Sequence, residues 1–184
     1  MGIVGLLRDD WKLIVGIVIL LIFLILIIYI SWEKKETKKR VEEGLLVCPI
    51  RGLLWTRKYD RKGNYTEEYQ RIRLIRYLLA KRGKNGEKLF DKSQFIIEYS
   101  IPIGHKGHNS LRVDLVIRKN NNFSVVAEVK KGYSEVNKNS AIKHQLIPAM
   151  RILNSKYGIY FDGTRKSRLL VRNNDGTLSV REFP

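Results

Sequence analysis

Hydrophobic and polar positions alternate along this chain with several distinct periods, and each period predicts a different element. Residues 13–30 are all apolar or glycine, eighteen in a row, with Trp11 and Trp32 at the two ends. At 1.5 Å per residue such a run makes a helix of about 27 Å, close to the hydrocarbon thickness of a bilayer. The charged stretch 33–43 reads as its continuation, ending near Gly44. Residues 45–59 are apolar with interruptions at Pro49 and Gly52 and predict only irregular structure or short strand. Over 66–83 the period becomes helical: Ile72, Ile75 and Leu79 share one face, Thr66 stands where a cap is needed and Gly83 where the helix stops. Glu68 falls on that same apolar face, where a carboxylate is unusual. Its plainer explanation is favourable placement at the helix's positive end.

Strands are predicted at 94–103 and on both sides of Asn120, Asn121 and Asn122, a polar cluster suited to a tight bend. A second helix is predicted over 136–154, then a strand at 156–161 and two short strands at 167–172 and 177–183. The predicted order from the first amphipathic helix is helix, three strands, helix, strand. An α/β fold follows, preceded by one membrane-spanning helix. The chain divides into a short extracytoplasmic N-terminus (1–12), a transmembrane helix (13–32), a basic juxtamembrane linker (33–64) and a folded domain (65–184).

Charge sharpens this picture. Arg8 and Lys12 cancel Asp9 and Asp10, so the whole net charge of +17 lies beyond residue 32. A domain this basic suits a polyanion, either nucleic acid or an anionic lipid surface. Lys34, Lys35, Lys38, Lys39 and Arg40 follow the apolar run directly, which predicts a cytoplasmic C-terminal side. The single cysteine, Cys48, excludes an intramolecular disulfide framework and any multi-cysteine metal site. His105 and His108 are three apart, with no third ligand near them in sequence.

The chemistry concentrates in the hairpin 111–130. If the three asparagines form its loop, residues equidistant from Asn121 face one another, and Asp114 meets Glu128 across the strands. Lys130 points to the same side as Glu128. Paired carboxylates repel unless a cation lies between them, and Mg²⁺ binds through one or two carboxylates plus water and substrate phosphate. The plain alternative is a hairpin with a charged face turned to solvent.

These residues, in this order of elements, resemble the PD-(D/E)xK restriction-endonuclease-like superfamily. The resemblance is greatest to the nuclease domain at the N-terminus of type I restriction motor subunits. It covers about 65–165 and rests on EEYQRIRLIRYLL, IIEYSIPI, LRVDLVI with VVAEVKK, HQLIPAMRIL and YGIYFDGT. It implies a restriction-endonuclease-like αβββαβ core with a mixed sheet flanked by helices. It also implies Mg²⁺-dependent hydrolysis of DNA phosphodiesters, with Mn²⁺ as a substitute. Asp114 and Glu128 would hold the metal together with the backbone carbonyl of Val129. Lys130 would orient the attacking water or stabilise charge on the phosphate. Glu68 would complete the outer sphere, with Glu67 as its fallback, and Gln145 would lie close to the site. Many enzymes of this fold pair to cut both strands, so the resemblance allows a homodimer. Position 149 is Ala where the family's second helix often carries Tyr, and Val113 stands where the motif's proline would be. The chain has no GxxxxGK[ST], so no ATP-driven motor is expected. Two further functions fit the same features: an inactive nuclease fold that tethers nucleic acid to the membrane, and a membrane protein whose basic face meets lipid or protein.

Overall fold

The computed structural model describes residues 7–103 and 109–184. The chain forms two compact units divided between Gly44 and Leu45. The first is one helix, α1 (Leu7–Glu42). Within it Ile14–Glu42 is long and apolar enough to cross a membrane, with mean hydropathy 3.3 over its most apolar part. Its apolar side chains are exposed on all sides, so no core within the unit explains its composition. The helix continues through the lysine-rich stretch without a break, and Gly44, at φ 84°, ends it.

The second unit begins earlier than the hydropathy pattern suggests. Residues 45–57 take the short-strand form of the two read for this stretch, a two-stranded hairpin of β1 (Leu45–Cys48) and β2 (Gly52–Arg57), where a juxtamembrane linker was expected. Leu46 and Cys48 on β1 are buried in the same core as the next helix, so the boundary falls at Gly44 and not after residue 64. α2 (Glu67–Ala80) follows, capped by Thr66, whose hydroxyl accepts the Tyr69 N–H at 3.3 Å and donates to the Arg57 carbonyl at 2.9 Å. Then come β3 (Phe95–Ile103), β4 (Asn109–Lys119), β5 (Asn122–Val129), a helical stretch, β6 (Tyr157–Phe161), β7 (Arg168–Arg172) and β8 (Leu178–Glu182). The helical stretch comprises α3 (Glu135–Ala141), a π-wound segment (Ile142–Leu146) and α4 (Ile147–Ile152).

β3 to β8 form one six-stranded sheet in chain order. Only β5 and β6 run parallel, joined by the helical crossover that a parallel pair requires. The architecture is therefore mixed α/β with a mixed sheet. Two cores sandwich it. On one side Ile72, Ile75 and Leu78 of α2 pack on Leu115, Ala127 and Ile159. On the other, Leu146, Ala149 and Met150 pack on Val116, Val126 and Tyr160. Each wholly buried aliphatic side chain contributes roughly 1.5–3 kcal/mol. Ala149 is wholly buried in that second core, where a tyrosine would overfill the packing.

The β4–β5 hairpin turns more tightly than a three-residue loop. Lys119 pairs with Asn122, leaving only Asn120 and Asn121 in the bend, at φ 49° and 63°. Two consecutive left-handed residues match the strand twist, which is why two asparagines suffice. Asn122 belongs to β5. One extra residue then enters: Arg118 pairs with Phe123 but Ile117 pairs with Val125, so Ser124 is a bulge. Its hydroxyl donates to the Ile117 carbonyl at 3.1 Å. Beyond the bulge Leu115 pairs with Ala127, and the next step sets Asp114 opposite Glu128. Were Ser124 paired with Ile117 instead of bulged out, Glu128 would fall opposite Val113 and the two acids would face opposite sides of the sheet.

Candidate functional site

Three neighbouring strands contribute one acid each to a single row. Ile97 pairs with Leu115 and Tyr99 with Val113, which brackets Glu98 opposite Asp114. Glu128 follows on β5, and its parallel partner on β6 is Tyr160. Glu98 takes a left-handed backbone, φ 59°, in the middle of its strand. A non-glycine residue adopts that conformation only where its surroundings hold it. Here Arg51 and Arg112 hold the carboxylate, at 3.2 Å and 2.8 Å.

α2 brings a cation into this row. Arg71 is buried, and its guanidinium bonds Glu68 one turn back and Asp114 Oδ1 at 2.9 Å, with Glu98 at 3.6 Å and Glu67 at 3.8 Å. The other oxygen of Asp114 accepts the backbone N–H of Val129 at 2.7 Å. Glu128 Oε1 accepts from Lys130 Nζ at 2.6 Å. Glu128 Oε2 and Glu68 Oε1 are buried without a hydrogen-bond partner, and the Tyr160 hydroxyl is likewise orphaned. Buried polar atoms of that kind are costly unless something satisfies them.

Protonation follows from these surroundings. Burial, and then the Asp114 charge, push the Glu128 carboxyl up to about 7, against the opposing pull of Lys130. Glu67 is also raised, chiefly by burial and then by Asp114. Burial works against the charged form of Lys130, yet its bond to Glu128 prevails and its value is raised. The same holds for Arg71, where Glu68 and Asp114 outweigh burial. Burial pushes the Tyr160 phenol up to about 12, with Asp162 adding to it.

Asp114, Glu128, Lys130 and Glu68 are thus brought to one place. Gln145, in the π-wound segment, lines an open cleft of about 290 Å³ with Glu67, Arg71, Glu98, Arg112 and Asp114. The Val129 side chain belongs to the core, while its backbone lies at the site. His105 and His108 lie outside the described residues. Sequence reasoning missed Arg71 and Glu98. Arg71 carried a signal, since it stands three residues after Glu68 and one before Ile72, close to the apolar stripe. Glu98 carried a weaker one, a lone charge within an apolar strand.

Among the described residues, no three His, Cys, Asp or Glu side chains converge to hold an ion. Comparison with protein-family models, curated proteins and solved structures finds no match to this chain.

Proposed function

We propose that this chain is a membrane-anchored, Mg²⁺-dependent DNA endonuclease, with α1 as anchor and the second unit on the cytoplasmic side. The observation that carries the reading is the row of Asp114 opposite Glu128, with Lys130 Nζ 2.6 Å from Glu128 Oε1. The excess of basic residues beyond the anchor supports an anionic polymer as substrate. The flank from Lys34 to Arg40 supports the orientation.

The donor set fits a hard divalent cation. Glu128 Oε2 is buried and unpartnered, and burial with a neighbouring carboxylate has raised its affinity for a proton. A cation relieves both conditions. Asp114, Glu128 and the carbonyl of Val129 would hold Mg²⁺, or Mn²⁺ in its place. When bound, the ion would supply positive charge to the phosphate and acidify a water molecule. Arg71 would then have to release Asp114 Oδ1, keeping Glu68 and Glu98 as partners. Lys130, a fixed ammonium, would stabilise negative charge on the phosphate oxygens as the ester bond breaks. Gln145 would donate hydrogen bonds across the cleft mouth and help seat the backbone. Two copies pairing would allow both strands of a duplex to be cut.

The full chain in detergent micelles, incubated with plasmid DNA and Mg²⁺, provides the test. Nicking should occur for the natural chain and disappear for Glu128→Ala; nicking that persists in the variant would overturn the reading.

One observation favours a second reading, an inactive fold that tethers nucleic acid to the membrane. Arg71 already neutralises Asp114 and Glu68 from within the chain. That reading predicts salt-dependent DNA binding with no need of metal and no nicking.

A further inference from the structure

A second built feature adjoins the acid row. Tyr59, Tyr65 and Tyr69 form a continuous stack, with ring centroids 5.1 Å and 4.7 Å apart and planes within 23° of parallel. Lys58 Nζ sits 5.0, 5.6 and 5.1 Å from the three rings. Tyr69 packs against the core from α2, but Tyr59 and Tyr65 are 47 % and 39 % exposed. Core packing accounts for Tyr69 and leaves the middle ring, Tyr65, and the end ring, Tyr59, unexplained.

The loop that carries the two exposed rings is firmly constructed. Tyr59 and Tyr65 bridge its two ends, and Asp60 Oδ1 accepts the N–H groups of Lys62 and Asn64, both at 2.9 Å. Asp60 Oδ2 lies 3.6 Å from Lys131 Nζ, which ties the loop to the residue after Lys130. At its other end Tyr69 is the immediate neighbour of Glu68 on α2. Arg57, Arg61 and Lys62, in the same segment as Tyr59 and Tyr65, are exposed, while Asp60 among them is already engaged. Flat exposed rings in a cationic surround match the chemistry of unpaired nucleobases on a phosphate backbone. Bases in a duplex are already stacked on one another and cannot extend such a ladder.

We propose that the Tyr59–Tyr65–Tyr69 stack with Lys58 is a binding site for the unpaired bases of single-stranded DNA, which it delivers to the acid row. The proposal rests on DNA being the substrate of that row, and it makes DNA with a single-stranded stretch the preferred substrate. A labelled oligothymidine and a duplex of equal length are titrated with the full chain in detergent micelles, in EDTA, and read by fluorescence anisotropy. Tyr59→Ala, which removes the end ring, and Tyr65→Ala, which removes the ring supporting it, should each weaken single-strand binding about 5- to 100-fold and leave duplex binding within about twofold, the range expected for losing one base-stacking platform with phosphate contacts intact. Tyr59→Phe, which keeps the ring, should bind like the natural chain. Unchanged single-strand binding in both alanine variants overturns the proposal, as does equal weakening on duplex or a Phe variant as weak as Ala. Because no metal is present, the result stands apart from cutting. Ring-dependent binding by a chain that never nicks DNA would leave this site intact and sink the endonuclease reading. Nicking by a chain whose binding ignores the rings would do the reverse.

Discussion

The carboxylate of Asp114 accepts the backbone N–H of Val129 at 2.7 Å, so a side chain of β4 fixes the residue that separates Glu128 from Lys130. Asp114 therefore has two tasks, holding that N–H and facing the Arg71 charge. Two substitutions separate them. Asp114→Asn keeps an acceptor and loses the charge, whereas Asp114→Ala loses both and leaves the Val129 N–H without its partner. The alanine variant should cost about 3 kcal/mol and the asparagine variant roughly half of that. Chemical denaturation of the two variants checks the order; equal losses would assign the whole effect to the charge.

Arg71 is the internal counter-ion of four carboxylates, two from its own helix and two from the sheet. Arg71→Gln should lower stability by about 3 kcal/mol in EDTA, because like charges are left together with little water. Mg²⁺ or Mn²⁺ should then raise the melting temperature of the variant more than that of the natural chain. Thermal unfolding with and without the ion gives the comparison. No differential effect would mean that the acids do not form an ion site even when Arg71 is gone.

The raised Glu128 carboxyl makes stability depend on pH in a definite direction. Between the ordinary 4.5 and about 7 the folded chain keeps a proton that the unfolded chain has lost. The unfolded state binds fewer protons there, so stability falls as pH rises through this window, by on the order of 3 kcal/mol from this group. Below 4.5 the group is protonated in both states and contributes no slope. Glu128→Gln should flatten the profile between pH 4.5 and 7, as read from denaturation midpoints across that range.

Glu98 offers a test in which the usual strand preference inverts. Valine ordinarily suits a strand better than glycine does. At φ 59° a β-branched residue is strained while glycine is not, and the ion pairs lost in both variants are partly exposed and worth little. Glu98→Gly should therefore be more stable than Glu98→Val by about 1–2 kcal/mol. Paired melting curves decide it, and the opposite order would show that the strand can relax to an extended backbone at this position.

Much of this architecture was legible in the chain itself, for identifiable reasons. The apolar run of α1 and the face of α2 follow from period alone, and the strands β3 to β6 follow from their β-branched residues and the asparagine bend. The pairing of Asp114 with Glu128 was reached by counting from a three-residue loop. The molecule reaches it by another route, a two-residue turn plus Ser124, and the two errors of detail cancel because the loop was counted one residue too long and the bulge left one residue out. Arg71 was not legible as a partner of Asp114, since forty-three residues separate them and only the packing of α2 on the sheet brings them together. The left-handed backbone of Glu98 left no trace in a segment that reads as ordinary strand. β1 and β2 were obscured by Pro49, in the turn between them, and by Gly52, the first residue of β2, which interrupt the apolar pattern.

The bulge at Ser124 also gives this hairpin one spare residue. Loss of Ser124 would straighten β5 while Ile117 still met Val125 and Asp114 still met Glu128. Pairing Ser124 with Ile117 would do the opposite, turning Glu128 away from Asp114 with no change in composition at all. The hairpin should therefore tolerate a one-residue deletion at this point, but not a slip of one strand along the other.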